Sequence, residues 1–208
     1  ILLNGSGVSS ADYNNDGFTD LFFTGLLSEN KLYQNLGDLK FVDTTPNILK
    51  CKDMYCTSSL STDINNDNKN DIIVGTIDNG IVIFINQGNN KFNDIQITND
   101  ILNGCAIYGL AVNDLDKDGD LDIYVTTYRS NSIRNDKNIK FEFSNINGHT
   151  IIKSAKNTVK KIDYDPSRFY LNKKGNVFEA STPDYVIINN NNTEFETVKA
   201  SNYFNYIH

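Results

Sequence analysis

Asp114-Leu-Asp-Lys-Asp-Gly-Asp-Leu-Asp122 is the stretch that decides the fold, because two related stretches precede it at a constant interval of 51 residues. They are Asp12-Tyr-Asn-Asn-Asp-Gly-Phe-Thr-Asp20 and Asp63-Ile-Asn-Asn-Asp-Asn-Lys-Asn-Asp71, here called loop 1 and loop 2, with the first-quoted stretch as loop 3. In all three loops, oxygen-bearing side chains recur at positions 1, 3, 5 and 9. This alternation lets a short loop surround a hard cation with carboxylate and amide oxygens.

The similarity extends beyond the loops to four short apolar runs per repeat. One run precedes each loop and three follow it, and the last carries a Phe six residues after an Asn. The runs are too short for helices and rich in β-branched and aromatic residues. Four strands per repeat predict an all-β fold of β-propeller blades with four antiparallel strands each, and an ordinary antiparallel sandwich is the alternative. The predicted strands are Gly7–Ala11, Ser58–Thr62 and Gly109–Asn113; Leu21–Gly25, Ile72–Thr76 and Ile123–Thr127; Lys31–Asn35, Ile81–Asn86 and Arg168–Asn172; and runs with Phe41, Phe92 and Phe178.

The third repeat carries an insertion. The last Asp of the loop and the aromatic residue of the third strand lie 13 residues apart in the first two repeats, but 48 apart from Asp122 to Tyr170. About 35 residues, at 130–167, are therefore predicted to be inserted in the third blade. Asn147-Gly148 between apolar arms predicts a hairpin there. The segment has a net charge of +3 and is either a solvated extension or a docking element for a partner or an anionic glycan.

Repeat arithmetic predicts that residues 1–208 form a partial arc of about three to four blades. The interval from Phe to the next loop, applied to Phe178, places a fourth loop near Ala200, where the sequence has none. Propellers close with about four to eight blades, so a longer parent is expected. The chain opens on Ile1-Leu-Leu without a Met, which is typical of a processed product or an internal fragment. The sequence lacks a run of 18 apolar residues, so no membrane span is expected.

The loops predict up to three Ca²⁺ ions, because all-oxygen ligands on a flexible loop favour Ca²⁺ over transition metals and Mg²⁺. Positions 1, 3, 5 and 9 supply side-chain ligands, and position 7 supplies a backbone carbonyl. Gly17, Gly119 and Asn68 stand where the loop must reverse with a positive φ. An EF-hand is excluded because position 12 falls inside predicted strands. We expect loop 3 to bind most tightly and loop 2 most weakly. The predicted ligands are Asp12, Asn14, Asp16, Phe18 and Asp20; Asp63, Asn65, Asp67, Lys69 and Asp71; and Asp114, Asp116, Asp118, Asp120 and Asp122.

Charge and cysteine content narrow the classes of partner and compartment. The net charge of −7 argues against nucleic acid, which requires a surplus of Lys and Arg. Cys51 and Cys56 can form a disulfide in an oxidising compartment, whereas three thiols are equally ordinary in a reduced protein. A zinc site is not expected because no second cysteine pair or nearby histidine accompanies them. Glycosylation sequons at Asn4 and Asn191 are compatible with a secreted glycoprotein.

The loop pattern, the apolar strand behind it, and the elements Leu32-Tyr-Gln-Asn35 and Phe169-Tyr-Leu-Asn172 together resemble the FG-GAP/VCBS repeats of integrin α-like propellers. The last two elements resemble in particular the cartilage acidic protein/ASPIC branch. The resemblance implies a seven-bladed propeller, secreted or at the cell surface, with Ca²⁺ loops that stiffen the blades. Asn68 in place of Gly and the long insertion depart from the family pattern.

A calcium-stabilised recognition or adhesion module is the function that these features favour, with a protein or glycan ligand. A carbohydrate-binding propeller lectin is the alternative, since propellers of this repeat class can present sugar sites between blades. An enzyme is not expected, because the patterned carboxylates belong to the loops. The rest of the sequence has no recognisable acid/base pair, nucleophile elbow or paired histidines.

Overall fold

The chain forms two structural units in a computed structural model that describes residues 6–97, 102, 104–129, 138–191 and 194–202. The first, here called the blade unit, contains residues 1–128 and 183–208. The second, called the inserted unit, contains residues 129–182. The sequons at Asn4 and Asn191 fall partly outside the described residues, although Asn191 itself lies in an exposed turn.

The first repeat forms a four-stranded antiparallel sheet in which neighbours in sequence are neighbours in space. Loop 1 connects its first two strands. Two short turns connect the others, and a 3₁₀ turn at Asn47–Lys50 leads to the next repeat. The strands are β1 (Val8–Ala11), β2 (Asp20–Phe23), β3 (Lys31–Asn35) and β4 (Phe41–Asp43).

The second repeat has the same strand arrangement as the first, with longer strands. β6 is buried along its whole length and β7 for its first six residues, as expected of strands covered on both faces. The six-residue spacing from Asn to Phe reflects strand pairing, since Asn35 lies opposite Phe41 and Asn86 opposite Phe92. The strands are β5 (Tyr55–Thr62), β6 (Asp71–Ile77), β7 (Ile81–Gly88) and β8 (Lys91–Ile97).

The third repeat has the same topology, but its third strand is not the one that the sequence predicts. β9 (Cys105–Asn113) and β10 (Asp122–Arg129) are followed in the sheet by β16 (Tyr185–Asn190) and β17 (Glu194–Lys199). One antiparallel pair, Ile77 of β6 with Ala106 of β9, joins these strands to those of the second repeat in an eight-stranded sheet. Ile123 pairs with Ile187 at the place where Ile72 pairs with Phe84. The prediction that Arg168–Asn172 fills this place is wrong.

With β16 as the third strand, the insertion ends later in the chain and the expected position of the fourth loop shifts. Asp122 and Ile187 lie 65 residues apart against 13 in the earlier repeats, so 52 residues are inserted, and the segment between β10 and β16 extends beyond 167 to residue 184. Asn189 lies opposite Phe195, which preserves the Asn-to-Phe spacing. The interval to the next loop, counted from Phe195, points to position 217 and no longer to Ala200.

The cores lie between the blades. Along β6, Ile72 and Val74 pack with Phe22 and Leu32 of the first repeat, whereas Ile73 packs with residues of the third. This alternation follows from the two-residue period of a strand. The fold is therefore all-β, built of four-stranded antiparallel blades and consistent with part of a β-propeller.

The inserted unit holds two small antiparallel sheets. The predicted hairpin is confirmed, because β11 and β12 pair around Asn147 and Gly148, whose φ values are 52° and 80°. Its strands are β11 (Ile139–Ile146), β12 (His149–Asn157) and β13 (Ile162–Tyr164) in one sheet, and β14 (Phe169–Leu171) and β15 (Val177–Glu179) in the other. Residues 130–137 of the predicted insertion lie outside the described residues.

No helix in the described part of the chain has the length and apolar character needed to cross a membrane. The helical elements described are short 3₁₀ turns at Asn47–Lys50, Pro166–Arg168 and Ala200–Asn202.

Candidate metal centre

The Asp at loop position 9 fastens each loop to its own blade. It is buried in all three repeats and accepts two backbone hydrogen bonds. One comes from the residue at loop position 2. The other comes from the Asn of the blade's third strand that lies opposite the Phe of the fourth strand. The donors, with distances, are Tyr13 (3.1 Å) and Asn35 (2.8 Å) to Asp20, Ile64 (3.0 Å) and Asn86 (2.7 Å) to Asp71, and Leu115 (2.8 Å) and Asn189 (3.0 Å) to Asp122.

The turn of each loop is held by the Asp at position 1, whose Oδ2 accepts the N–H of position 6. The distances are 2.7 Å from Gly17 to Asp12, 2.7 Å from Asn68 to Asp63, and 3.2 Å from Gly119 to Asp114. The expected positive φ is confirmed, at 90° for Gly17, 64° for Asn68 and 100° for Gly119.

Position 7, predicted to supply a carbonyl, donates its own N–H to the carboxylate at position 5. Phe18 bonds Asp16 at 2.9 Å, Lys69 bonds Asp67 at 3.0 Å, and Asp120 bonds Asp118 at 2.9 Å. The three loops therefore share one hydrogen-bonded scaffold, although their side chains at positions 3 and 7 differ.

Loop 3 is the one place in the described part of the chain where three carboxylates converge in an arrangement that can hold a metal ion. Oxygen atoms of Asp114, Asp116 and Asp122 lie within 4.8 Å of one another. Asp114 Oδ1 is buried without a hydrogen-bond partner. Desolvation first, and then the charges of Asp118 and Asp122, raise the pKa of Asp116 despite a backbone hydrogen bond that lowers it. A cation would satisfy the orphaned oxygen and relieve the repulsion.

Loop 2 carries an internal cation instead. Lys69 Nζ lies 2.9 Å from Asp67 Oδ2, and this partly buried ammonium sits on a predicted ligand. Burial raises the pKa of Asp71 to about 6, with the charges of Asp67 and Asp63 adding to the rise. The ammonium must be displaced before Asp67 can bind Ca²⁺ with that oxygen. That loop 2 binds Ca²⁺ most weakly stays a prediction.

In loop 1, uncharged amide groups donate hydrogen bonds to the carboxylate of Asp16. Asn14 Nδ2 donates to Asp16 Oδ2 at 2.8 Å, and Gln34 Nε2 approaches the same oxygen at 3.4 Å. The N–H of Phe18 and the Asn14 amide hold the pKa of Asp16 below its usual range. Loop 1 therefore has neither the convergent carboxylates of loop 3 nor the ammonium of loop 2.

Sequence reasoning missed the role of the third-strand Asn, which links neighbouring repeats. Asn86 Nδ2 donates to Tyr13 O of loop 1 at 2.8 Å, and Asn189 Nδ2 donates to Ile64 O of loop 2 at 3.1 Å. Both side chains are buried. The regular Asn-to-Phe spacing was the signal that could have revealed them. Each Asn thus binds the loop of its own repeat through its backbone and the preceding loop through its side chain.

The loops also contact one another directly. Asn70 Nδ2 of loop 2 donates to Asp12 O of loop 1 at 3.2 Å, and Asn66 Nδ2 donates to Asp120 Oδ1 of loop 3 at 3.3 Å. The three candidate sites therefore lie side by side along one edge of the blade unit.

Cys51 and Cys56, the predicted disulfide pair, are free thiols in this structure and lie close together. A hydrogen bond between the two thiols is the largest influence on both, raising the pKa of Cys51 and lowering that of Cys56. Cys51 also lines an open surface pocket formed by residues 26–29 and 51–55, which gives an oxidant access to it. The disulfide remains a prediction.

We expect oxidation to join Cys51 and Cys56 and to stabilise the fold by about 2 kcal/mol, as loop-closure entropy gives for a ring of six residues. Peptide mass mapping after refolding in a glutathione redox buffer would locate the bond. Cys105→Ser should keep the bond, and Cys51→Ser should abolish it. A reduced protein that unfolds at the same denaturant midpoint as the oxidised one would contradict the prediction.

Comparison with protein families finds a match for the middle of the chain. Residues 63–125 match the family model described as an FG-GAP-like repeat. The matched range begins at the first position of loop 2 and ends within β10, so it contains two of the three loops and all the strands between them. No curated protein matches the chain. Residues 63–125 are therefore similar to an FG-GAP-like repeat.

Proposed function

We propose that this protein is a calcium-stabilised recognition or adhesion module of the extracellular space, in which Ca²⁺ is structural. The observation that carries the proposal is the cluster of Asp114, Asp116 and Asp122 with the orphaned buried oxygen of Asp114. An FG-GAP-like repeat supports the extracellular assignment, because such repeats are typical of extracellular propeller domains.

Calcium suits the donor set of loop 3. The candidate ligands are carboxylate oxygens carried by a loop that closes on itself with a positive φ at Gly119. Ca²⁺ accepts six to eight oxygen ligands in flexible geometry, whereas Mg²⁺ demands a near-ideal octahedron and retains its water. The ion would neutralise Asp122, whose two oxygens already accept backbone hydrogen bonds from the loop and from β16. Binding would therefore fasten the loop to its blade.

Surfaces other than the loops would recognise the ligand, and the loops would have a structural role only. Their carboxylates hold the turns through backbone hydrogen bonds, as with Asp12 and Gly17. A protein or glycan ligand remains the expected partner.

We expect Ca²⁺ to raise the melting temperature of the chelator-treated protein. One site at a free Ca²⁺ concentration of a hundred times its Kd contributes about 2.7 kcal/mol to the free energy of unfolding. Differential scanning calorimetry in EGTA and in excess Ca²⁺ measures the shift, and titration calorimetry gives the stoichiometry. Asp116→Asn should weaken the tightest site, because it removes one carboxylate.

Asp116→Asn should still fold, since loops 1 and 2 carry Asn14 and Asn65 at this position and Asn14 Oδ1 keeps the equivalent bond to the N–H of Asp16 at 3.1 Å. Asp53→Asn is the matched control. It makes the same change of charge at an exposed residue with φ of 67°, a conformation that Asn tolerates. Equal melting temperatures in EGTA and Ca²⁺, or equal weakening of Ca²⁺ binding by both variants, would contradict a structural calcium site in loop 3.

A further inference from the structure

The inserted unit carries a charge opposite to that of the rest of the chain. Residues 129–182 contain 11 Lys and Arg against 5 Asp and Glu, a net charge of +6, while the remaining residues contain 8 against 21, a net charge of −13. Several exposed lysines of the unit have no ion-pair partner among the described residues, namely Lys140, Lys153, Lys161, Lys173 and Lys174. A local basic surface within an acidic protein is suited to attract an anionic ligand of limited size.

The inserted unit has a packed interior that gives this surface a fixed form. Phe169 is buried and meets Phe141 edge-on, with ring centroids 5.1 Å apart, and Tyr164 at 6.4 Å. Arg168 is used internally, because its guanidinium lies 3.0 Å from Glu179 and 5.8 Å from the ring centroid of Tyr164. One face of the β14–β15 hairpin is therefore held against the β11–β13 sheet.

The other face of the hairpin presents two aromatic rings to solvent. Tyr170 and Phe178 lie directly opposite each other on β14 and β15, and their rings stack with centroids 5.7 Å apart and planes at 23°. Tyr170 is 52% exposed and Phe178 is 41% exposed. Single exposed apolar residues are ordinary on a protein surface, but a stacked and exposed aromatic pair forms a rigid apolar platform.

The turn of the same hairpin places two lysines within four residues of the aromatic pair along the chain. Asn172 Oδ1 accepts the N–H groups of Lys174 at 3.0 Å and Asn176 at 2.9 Å, and Asn172 O accepts the N–H of Gly175 at 2.9 Å. These bonds fix the turn that carries Lys173 and Lys174. Both lysine side chains are exposed.

We propose that Tyr170, Phe178, Lys173 and Lys174, here called the hairpin platform, bind an anionic oligosaccharide. One face of a pyranose ring carries C–H bonds with partial positive charge, which match the negative face of an aromatic ring. Carboxylate or sulfate groups on the sugar would pair with the two ammonium groups. A long nucleic acid fits less well than a short oligosaccharide, because the surplus of Lys and Arg that phosphate neutralisation needs is confined to residues 129–182. The proposal is independent of the calcium sites.

Titration calorimetry of the full chain in saturating Ca²⁺ with a heparin-derived hexasaccharide tests the proposal. We expect binding that weakens as salt concentration rises, and no binding of neutral maltohexaose. Lys173→Gln/Lys174→Gln should lower the affinity about tenfold, since two exposed ion pairs are lost. Tyr170→Ala should lower it about fivefold through loss of the aromatic contact.

Lys40→Gln/Lys91→Gln is the matched control, because it removes two exposed lysines from the blade unit with the same change of net charge. It should leave the affinity unchanged. Absence of hexasaccharide binding, equal weakening by both double variants, or tighter binding of a single-stranded oligothymidylate would overturn the proposal. Melting temperatures of all variants in Ca²⁺ and EGTA report separately on the calcium sites, so failure of one proposal is distinguishable from failure of the other.

Discussion

Replacing Ile187 with Ala is expected to lower the free energy of unfolding by about 3 kcal/mol, within the range of large-to-small core substitutions. Ile187 is fully buried, pairs with Ile123 and packs in the cluster that joins the second and third blades. The substitution removes apolar surface from that cluster and leaves a cavity beside Ile123. Urea unfolding in saturating Ca²⁺, followed by circular dichroism, measures the change.

Tyr170→Ala is the matched comparison, because the sequence pattern aligns Tyr170 with Tyr33 and Phe84 in the third strand of a blade. In the structure Tyr170 belongs to the inserted unit, is half exposed, and has Phe178 as its stacking partner. We expect its removal to cost about 1 kcal/mol or less. A larger loss for Tyr170→Ala than for Ile187→Ala would restore the sequence-based strand assignment and contradict the structure.

Asn86→Ala is expected to destabilise the protein by about 3 kcal/mol. The side chain is 1% exposed, and its Nδ2 donates to Tyr13 O at 2.8 Å and Asn70 O at 3.1 Å, while its Oδ1 accepts the N–H of Gly88 at 2.9 Å. Truncation leaves buried backbone groups without partners, and each such group costs about 1–3 kcal/mol. Equilibrium denaturation in urea gives the measurement.

Asn35→Ala provides an internal control, since Asn35 is the equivalent residue of the first repeat. Its Nδ2 donates to Thr19 O at 3.0 Å and its Oδ1 accepts the N–H of Gly37 at 2.9 Å, so it makes the two local bonds without a described link to a preceding loop. Asn35 is also partly exposed. We expect a loss of about 1 kcal/mol. Equal losses for the two variants would show that the bond from Asn86 to Tyr13 O contributes nothing to the contact between blades.

The acidic loops and the strand order of the first two repeats could be predicted from the sequence, because their determinants are local. The 51-residue interval fixed the repeat, and alternating oxygen donors followed by short apolar runs specify a turn and the strands beside it. The positive φ values at Gly17 and Gly119 are likewise a local requirement of the turn. The convergence of carboxylates in loop 3 was expected for the same reason, since its ligands lie within nine residues.

The third strand of the third blade could not be chosen from the sequence, because the Asn-to-Phe spacing occurs more than once after loop 3. Asn172 and Phe178 satisfy it, and so do Asn189 and Phe195. The short run Phe169–Leu171 has only one buried residue, whereas Tyr185–Asn190 begins with five buried residues. Only the second run can lie beside β10 with both faces covered, and that requirement arises from packing between blades.

The sequence alone therefore determined the repeat, the loop chemistry and the class of fold, since these depend on residues close together in the chain. The tertiary structure decided which run completes the third blade, and that Asn86 and Asn189 link each blade to the loop before it. It also placed Tyr170 and Phe178 on an exposed hairpin outside the blades. These features depend on contacts between residues as many as 125 positions apart, which local pattern does not encode.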